Sequence, residues 1–208
     1  MAGSRADMTQ HDPAKSDKGE SDLAALISRA VTGRGLPPVE TWNPDHCGDI
    51  DMRIAADGTW FYQGTPIGRE RLVRLFSTVL RKDEDGQTYL VTPVEKVVVH
   101  VEDAPFLAVE MSATMRDGHE VLTFRTNVGD LIEAGPEHPI RFEATEPDGA
   151  LKPYLHVRGR LEALVTRALT YDLVERAVTE DVNGKATVCL RSAGAVFPIM
   201  PADDLAAG

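Results

Sequence analysis

The sequence predicts an α+β protein built from two similar β-rich halves. One pattern occurs twice: Asp57-Gly58 is followed, ten residues after its glycine, by Gly68-Arg69, and Asp148-Gly149 is followed at the same spacing by Gly159-Arg160. The alternating apolar runs that indicate strands also outnumber the helical patterns, and they come in hairpins rather than strand–helix–strand crossovers. A duplicated unit creates a seam between its copies, and ligand pockets are common at such interfaces.

The chain is expected to begin with a disordered tail, residues 1–20, because this stretch has almost nothing apolar to bury. A helix is predicted within residues 21–36. Leu23 and Ile27 share one face of this helix, and Gly33 is a stop signal.

The first half is predicted to span residues 37–103. Its elements are two strands joined by the Asp57-Gly58 turn, then a helix, then two more strands, at Ile50–Ile54, Trp60–Tyr62, Arg69–Lys82, Thr88–Thr92 and Glu95–Val101. One side of the helix is basic and is interpreted as a solvated face, with Arg69, Arg71, Arg74 and Arg81.

The second half is predicted to span residues 104–201, and residues 202–208 are expected to fray. A hairpin across Asp117-Gly118 comes first, followed by a second copy of the strand–turn–strand–helix–strand plan. The predicted elements are strands Leu107–Met115, Glu120–Thr126, Ile140–Ala144 and Tyr154–Val157, the helix Arg160–Val178, and strands Thr187–Arg191 and Val196–Ile199.

Composition excludes several classes of protein. The 208 residues carry a net charge of −11, which disfavours extended nucleic-acid contact because the surface would repel a polyanion. The apolar runs are too short for a transmembrane segment, and the polar first 20 residues do not resemble a secretory signal. Two distant cysteines, Cys47 and Cys189, predict a reduced cytoplasmic protein, with Cys47 as a small buried residue.

A polar cluster precedes the first predicted strand and continues into it. In an alternating strand, Asp49 and Asp51 point to the same face, beside His46 and Cys47. Paired carboxylates could hold a cation, orient sugar-like hydroxyls or act as acid and base. The alternative interpretation is a half-buried strand with one solvated face.

Other polar residues lie at the ends of strands. Lys96 could contact a ligand phosphate, although a Glu-Lys pair such as Glu95-Lys96 is more often a surface salt bridge. Asn127 and Asp130 could present polar groups to a ligand, or they could serve only turn geometry.

The strongest binding-type pattern is an alternation of Tyr154, His156 and Arg158 on one strand face. An aromatic ring, an imidazole and a guanidinium on one surface suit a planar or phosphorylated ligand. The alternative is a polar sheet face paired with acidic neighbours. The histidines and cysteines lack metal-ligand spacing, and no glycine-rich phosphate loop or nucleophile elbow is present, so no metal and no cofactor are predicted.

Several blocks of sequence, in a fixed order between about Trp42 and Glu175, resemble an uncharacterised bacterial family, domain of unknown function 1285. The blocks are Trp42-Asn43-Pro44, Cys47 to Met52, Asp57 to Trp60, Thr92 to Lys96, Val101 to Phe106, Phe124 to Asp130 and Pro153 to Arg158. The resemblance implies a duplicated architecture and a second half loosely like a pleckstrin-homology barrel. It also implies a ligand site between the halves for a nucleotide-like molecule, and a role in signalling.

These observations favour a non-enzymatic binding or sensor module with a small anionic or nucleotide-like ligand at the seam. Trp42 and Asn43 are expected to shape its pocket with the polar residues named above. One alternative is a protein-interaction domain with a protein partner. A less favoured one is a hydrolase acting on an ester or phosphate, with Asp49 or Asp51 beside His46 or His156. The oligomeric state is left open.

Overall fold

One six-stranded sheet forms the first half. The computed structural model describes residues 13–31, 35–45, 47–145 and 150–205. The sheet has the order β3-β2-β1-β6-β5-β4, and β1 and β6 pair in parallel while the other neighbours are antiparallel. Its strands are β1 (Cys47–Ile54), β2 (Trp60–Tyr62), β3 (Thr65–Pro66), β4 (Leu80–Lys82), β5 (Thr88–Val91) and β6 (Lys96–Val101).

The second half repeats this topology. Its sheet has the order β10-β11-β12-β7-β8-β9, with β12 parallel to β7. Numbered from the start of each half, both sheets have the order 3-2-1-6-5-4. The predicted two similar halves are therefore confirmed. The strands are β7 (Phe106–Arg116), β8 (His119–Thr126), β9 (Leu131–Glu133), β10 (Ile140–Thr145), β11 (Ala150–Arg158) and β12 (Leu161–Val165).

The two copies align differently from the pattern seen in the sequence. Asp57-Gly58 joins the first two strands of its sheet, and its topological equivalent is Asp117-Gly118, between β7 and β8. Asp148-Gly149 belongs to the β10–β11 connection, outside the described residues, and its equivalent in the first half is Asp85-Gly86. Asp-Gly suits any tight hairpin, so the dipeptide predicts a turn but does not show which turns of the two halves are equivalent.

The predicted helix Arg160–Val178 was wrong at its start. Gly159 and Arg160 form the turn between β11 and β12, and helix α3 begins later, at Arg167–Glu175. Leu161, Ala163 and Val165 are buried at every second position, which is strand periodicity. In the sequence, the extra apolar Leu164 made this stretch compatible with either period.

Helix α2 is also shorter than predicted, at Glu70–Thr78, and the rest of the predicted helix is β4. Helix α1, Pro13–Ala30, starts before the predicted position and packs against α2. Proline is well tolerated as the first helical residue, where its missing N–H has no partner to lose. Within the described ranges, no helix is both long and apolar enough to span a membrane.

A small third sheet, in the order β13-β14-β15, closes the second half. Ser192 connects it to the main sheet: its hydroxyl donates to the Ala134 carbonyl at 2.7 Å and accepts from the Leu122 N–H at 2.9 Å, fully buried. The curled second half is loosely consistent with a pleckstrin-homology likeness. The remaining elements are β13 (Val178–Val182), β14 (Lys185–Ser192), β15 (Ala195–Pro201) and the short α4 (Ala202–Leu205).

The two halves share one hydrophobic core. Met52, Trp60 and Phe76 from the first half belong to the same buried cluster as Phe106 and Leu155 from the second. The seam is therefore packed at its centre, and space for a ligand is left only towards its edges.

Candidate functional site

A polar groove of about 350 Å³ opens along the seam. We call it the seam groove. The first half contributes β4, β5 and β6 to its walls, and the second half contributes the linker 103–105 together with β10, β11 and the start of β12. Its polar lining consists of Lys82, Gln87, Thr88, His100, Asp103, Arg141, Glu143, Tyr154, Arg160 and Glu162.

Most charged groups of the seam groove are already paired. Arg141 donates from Nε and Nη2 to the two carboxylate oxygens of Glu162, each at 2.6 Å, and also bonds to Glu143. Its guanidinium lies 4.1 Å from the ring centre of Tyr154. The hydrogen bonds to Glu162 are the main reason that the pKa of Arg141 is raised, so this side chain stays charged.

Tyr154 is fixed at the base of this arrangement. Its hydroxyl donates to Asp103 Oδ1 at 2.8 Å, and Lys152 Nζ donates to Asp103 Oδ2 at 2.6 Å. Burial and then the bond to Asp103 raise the pKa of Tyr154, so the phenol stays neutral. The linker between the halves is thereby held to β11.

Two cations are left more available. The Lys82 side chain makes no hydrogen bond or ion pair with the described residues, although its backbone pairs with Thr88 in the sheet. Arg160 pairs at 2.8 Å with Glu84, whose carboxylate is 88% exposed. Arg160 also lines a neighbouring cavity of about 430 Å³, where it meets Asn43. The neighbouring cavity is also lined by Glu40, Asp83, Glu84 and Asp85, so cations and carboxylates lie side by side at this edge of the seam.

Two of the predicted pocket residues serve the fold instead. The carbonyl of Trp42 accepts from Arg81 at 2.6 Å, and its partly buried ring packs on the core. Lys96 Nζ donates to Asp83 at 3.0 Å and lies 4.2 Å from the ring centre of Tyr89. Lys96 is thus in a salt bridge, although with Asp83 rather than with its neighbour Glu95.

Arg81 was wrongly assigned to a solvated helix face. It lies in β4, only 6% exposed, and donates to the carbonyls of Val39 and Trp42 and to the Asp83 carboxylate. Burial alone would raise the pKa of Asp83, but the hydrogen bonds from Arg81 and Lys96 prevail and hold it below 3.8.

A bulge changes the geometry of the predicted aspartate pair. The register of β1 on β6 shifts between Asp49 and Met52, and Asp51 takes a φ of 51°. Asp49 therefore accepts from the Asp51 N–H at 2.9 Å, and its other oxygen lies 3.6 Å from His100 Nε2. Both aspartates are exposed and neither lines the seam groove, while Ile50 is partly buried and Met52 is buried, which matches the alternative interpretation of a half-buried strand with one solvated face. Position 46 lies outside the described residues.

Cys47 is exposed at the start of β1, so the prediction that it is buried was wrong. It is the first residue of the strand, where few neighbours cover a side chain. Across the part of the chain that the structure describes, no three His, Cys, Asp or Glu side chains come together as a metal-binding group.

The Tyr154, His156 and Arg158 face is divided by a second bulge, between His156 and Arg158. Tyr154 lines the seam groove. His156 stacks on His138 with ring centres 5.5 Å apart, and its ring nitrogens face the carbonyls of Glu137 at 3.1 Å and Gly159 at 2.9 Å. The prediction that all three side chains share one ligand-facing surface was therefore wrong.

Arg158 instead crosses the seam. It donates to the Ser77 carbonyl at the end of α2 at 2.5 Å and to Asp130 at 3.2 Å, and lies 5.1 Å from the ring centre of Phe106. Its burial lowers its pKa, and the Asp130 carboxylate opposes that effect. A cation at a helix C-terminus is electrostatically favourable, so Arg158, paired with Asp130 of its own half, forms a structural bridge to Ser77 of the first half.

Asn127 lies at the seam, bonded to Leu107 of its own half and close to Gly58 of the first half. Its N–H donates to the Leu107 carbonyl at 2.8 Å, and its Oδ1 accepts from the Leu107 N–H at 3.0 Å. Its side-chain nitrogen approaches Gly58, where a Cβ atom would lie only 2.8 Å away. Gly58 has a φ of +81°, so this position needs glycine for conformation and for space.

We expect Gly58→Ala to lower the free energy of unfolding by about 1–3 kcal/mol, from left-handed backbone strain and displacement of Asn127. The matched control is Gly118→Ala, at the equivalent turn of the second half, with a φ of +80° and nothing within 4 Å of the added Cβ. Urea denaturation should show the larger loss for Gly58→Ala. Equal losses in the two variants would mean that the close approach of Asn127 to Gly58 contributes nothing to the free energy of unfolding.

The comparisons with known proteins agree with this two-part architecture. Residues 37–104 match a domain described as "Domain of unknown function (DUF1285), N-terminal domain", and residues 105–199 match "Protein of unknown function (DUF1285), C-terminal domain". The chain belongs to the DUF1285 family. The boundary between the two DUF1285 domains falls in the linker that lines the seam groove.

Two solved DUF1285 structures are similar to this chain. The protein from Silicibacter pomeroyi DSS-3 is 47% identical, with a TM-score of 0.78 over 88% of this chain and 97% of its own. The protein from Shewanella baltica OS155 is 31% identical, covering 60% of this chain and 90% of its own, with a TM-score of 0.47. No curated protein matches the chain.

Of the predicted site residues, the structure places Tyr154 in the seam groove and Asn43 in the adjoining cavity. The charged residues Lys82, Arg141, Glu143, Arg160 and Glu162 of the seam groove were not among the predicted site residues. Arg141 and Glu143 alternate around Phe142 on β10, which was a readable signal for a polar strand face. Lys82 and Glu162 carried no such signal, since both were assigned to helices.

Proposed function

We propose that the protein is a cytoplasmic, non-enzymatic module that binds a small anionic ligand in the seam groove. The supporting observation is the groove itself: about 350 Å³ of polar-lined space to which both halves contribute. That volume lies in the range of small-molecule sites. Because both halves form its walls, ligand occupancy can be coupled to their relative position, as a sensor in signal transduction requires.

The charged side chains that line the seam groove support an anionic ligand. Three cations (Lys82, Arg141 and Arg160) and three carboxylates (Asp103, Glu143 and Glu162) line the seam groove, and the Lys82 side chain has no partner among the described residues. Arg160 is held only by an exposed carboxylate, which a ligand phosphate or carboxylate could replace. Asp103 and Glu162 are already neutralised by Lys152 and Arg141, so they repel an anion less than free carboxylates would.

The fixed groups support binding rather than turnover. The Tyr154 phenol is held by Asp103, and Arg141 is held by two glutamates, so neither is poised to move a proton. Arg141 already stacks on the Tyr154 ring, so we expect a nucleotide-like ligand to be held mainly through its phosphates.

The test is a thermal-shift screen against nucleotides, cyclic nucleotides and sugar phosphates. A ligand at 100 times its Kd should add about 2.7 kcal/mol, or roughly 5–11 °C in Tm. Lys82→Gln should weaken the ligand about tenfold through loss of a charge-assisted hydrogen bond. Lys185→Gln, the same charge change on the third sheet, should leave affinity unchanged. A flat screen, or equal affinity in both variants, would contradict the proposal.

A further inference from the structure

Strand β7 is open on one side over most of its length. It has 11 residues and pairs with β8 from Ala108 to Arg116. On its other side it pairs with β12 only as far as Ala108, whose carbonyl also accepts from the Thr166 N–H. Within the described residues, no strand pairs with positions 109–116 on that side. We call residues 110–116 the β7 edge.

The backbone of the β7 edge directs hydrogen-bonding groups to this open side. On β8, Leu122 lies opposite Ala113. The Leu122 N–H donates to Ser192 Oγ and its carbonyl accepts from the Ala134 N–H, both on the side of β8 away from β7. Opposite residues in an antiparallel pair turn their backbone groups either towards each other or both away. The N–H and carbonyl of Ala113 therefore point to the open side, and those of the residues two positions before and after it do the same.

The β7 edge lacks most of the features that keep strand edges from pairing. Proline and lysine are common protective residues, and residues 110–116 contain neither. The bulge of β7 lies before them, between Ala108 and Glu110. All side chains from Ser112 to Arg116 are exposed, that of Met115 by 71%. An exposed edge of this length is a template for a further strand.

The side chains of the β7 edge are complementary to themselves. Glu110 and Arg116 have opposite charges and lie three positions before and after Ala113. In an antiparallel pair of two copies with a two-fold axis at Ala113, Glu110 of each copy lies opposite Arg116 of the other. The same register places Met111 opposite Met115 on the other face of the sheet, which covers the exposed Met115.

Other registers fit less well. Moving the axis between two residues sets an outward-pointing backbone position opposite an inward-pointing one, so the hydrogen bonds no longer match. Moving the axis to Ser112 sets Glu110 opposite Thr114 of the second copy. Moving it to Thr114 sets Arg116 opposite Ser112. Only the axis at Ala113 brings the opposite charges together and uses all residues of the β7 edge.

Pairing of two copies would also extend ion pairs that each copy already has. Arg125 on β8 bonds to Glu110, and Glu133 on β9 bonds to Arg116 at 2.7 and 2.9 Å. Across the two copies, the charges would alternate from Arg125 and Glu110 of one to Arg116 and Glu133 of the other. An isolated exposed ion pair contributes little, whereas a network contributes more. The charges therefore favour a second copy over an unrelated strand.

We infer that the β7 edge is a docking surface for a second copy of this chain, which pairs with it antiparallel about Ala113. The sheets of the two second halves then form one continuous sheet across the dimer. One strand pair makes a smaller interface than a typical stable complex, so the dimer forms in a concentration-dependent equilibrium. The inference does not depend on a ligand in the seam groove.

The first test is sedimentation velocity of the full chain from about 1 µM to about 1 mM, where we expect monomer to convert to dimer. Ala113→Pro removes the central N–H of the β7 edge, and an edge strand tolerates proline where the N–H faces solvent. Circular dichroism should therefore show a folded variant, with dimerisation weakened about tenfold or more. A monomer at every concentration, or a folded Ala113→Pro variant that dimerises like wild type, would overturn the inference.

Charge reversal tests the register. Arg116→Glu would set like charges opposite each other at both ends of the strand pair, and we expect it to weaken the dimer about tenfold. The matched control is Arg191→Glu, which makes the same charge change in an exposed cross-strand pair with Glu180 on the third sheet. The control should leave dimerisation unchanged. Equal dimerisation of the two variants would contradict the placement of Glu110 opposite Arg116.

Cysteine cross-linking locates the two-fold axis. In a Cys47→Ser background, which removes the exposed native thiol, Ala113→Cys should form a disulfide between copies on oxidation. Directly opposite Cα atoms in a hydrogen-bonded pair are about 5.5 Å apart, within the range of a disulfide. Met115→Cys should not cross-link, since its equivalent lies four residues along the partner strand, about 13 Å away. Cross-linking of Met115→Cys but not of Ala113→Cys would overturn the proposed pairing.

Discussion

Replacing Phe106 with alanine should lower the free energy of unfolding by about 3–5 kcal/mol, one of the two largest effects expected for a single substitution in this protein. Phe106 is fully buried, begins β7 directly after the linker and pairs with Ala163 of β12. Its ring also supports the Arg158 guanidinium. The substitution would remove a large side chain from the core that both halves share and leave a cavity that neighbouring strands cannot close.

Thermal and urea denaturation measure this effect directly. A loss of this size corresponds to a fall in Tm of roughly 6–20 °C for a chain of about this length. Phe106→Leu is the control, since it keeps most of the apolar volume and should cost no more than about 2 kcal/mol. A loss below about 1 kcal/mol for Phe106→Ala, typical of a surface position, would show that the halves do not depend on this contact.

Arg81→Ala should lower the free energy of unfolding by about 3–5 kcal/mol, because removing one partner of a buried ion pair leaves the other groups unsatisfied. The substitution would leave the Trp42 carbonyl without this donor, the Val39 carbonyl with the Trp42 N–H alone, and Asp83 with Lys96 alone. The segment before β1 would lose its attachment to β4. Denaturation with urea at neutral pH measures the loss.

Three comparisons make this result specific. Arg81→Lys keeps the charge but loses the forked geometry, so it should fall between wild type and Arg81→Ala. Arg71→Ala, on the exposed face of α2, should stay within about 0.5 kcal/mol of wild type. A loss for Arg81→Ala no larger than that of Arg71→Ala would contradict a structural role for Arg81.

The third comparison is the pH dependence of the stability difference between wild type and Arg81→Ala. Because the folded pKa of Asp83 is depressed, its ion pairs contribute stability above the ordinary carboxyl pKa of 3.8 and lose it as pH falls through the lower folded value. The difference between wild type and Arg81→Ala should therefore be full at neutral pH and shrink in acid. The part of the stability loss that comes from the bonds to the two carbonyls should remain at low pH, since carbonyl groups do not titrate.

The location of the candidate site could be predicted better than the residues that form it. Duplication implied a seam, and a polar groove lies there. The strand face chosen for the ligand, however, assumed unbroken alternation through Arg158, and the bulge beside His156 turns that guanidinium towards Phe106. A bulge depends on the partner strand, so a single strand's sequence does not reveal it.

Local sequence patterns and long-range strand pairing account for different parts of this structure. The β-rich halves, the hairpin turns and most strand faces follow from local sequence, because period-2 burial and Asp-Gly turns are properties of a few neighbouring residues. That residues 161–165 form a strand between β11 and β7, and that Arg81 is buried, depends instead on the three-dimensional arrangement of the chain. Arg81 reaches a carbonyl 42 positions earlier in the chain. A polar side chain is buried only where the fold supplies hydrogen-bond partners. Those partners are distant in the sequence, so local periodicity does not reveal them.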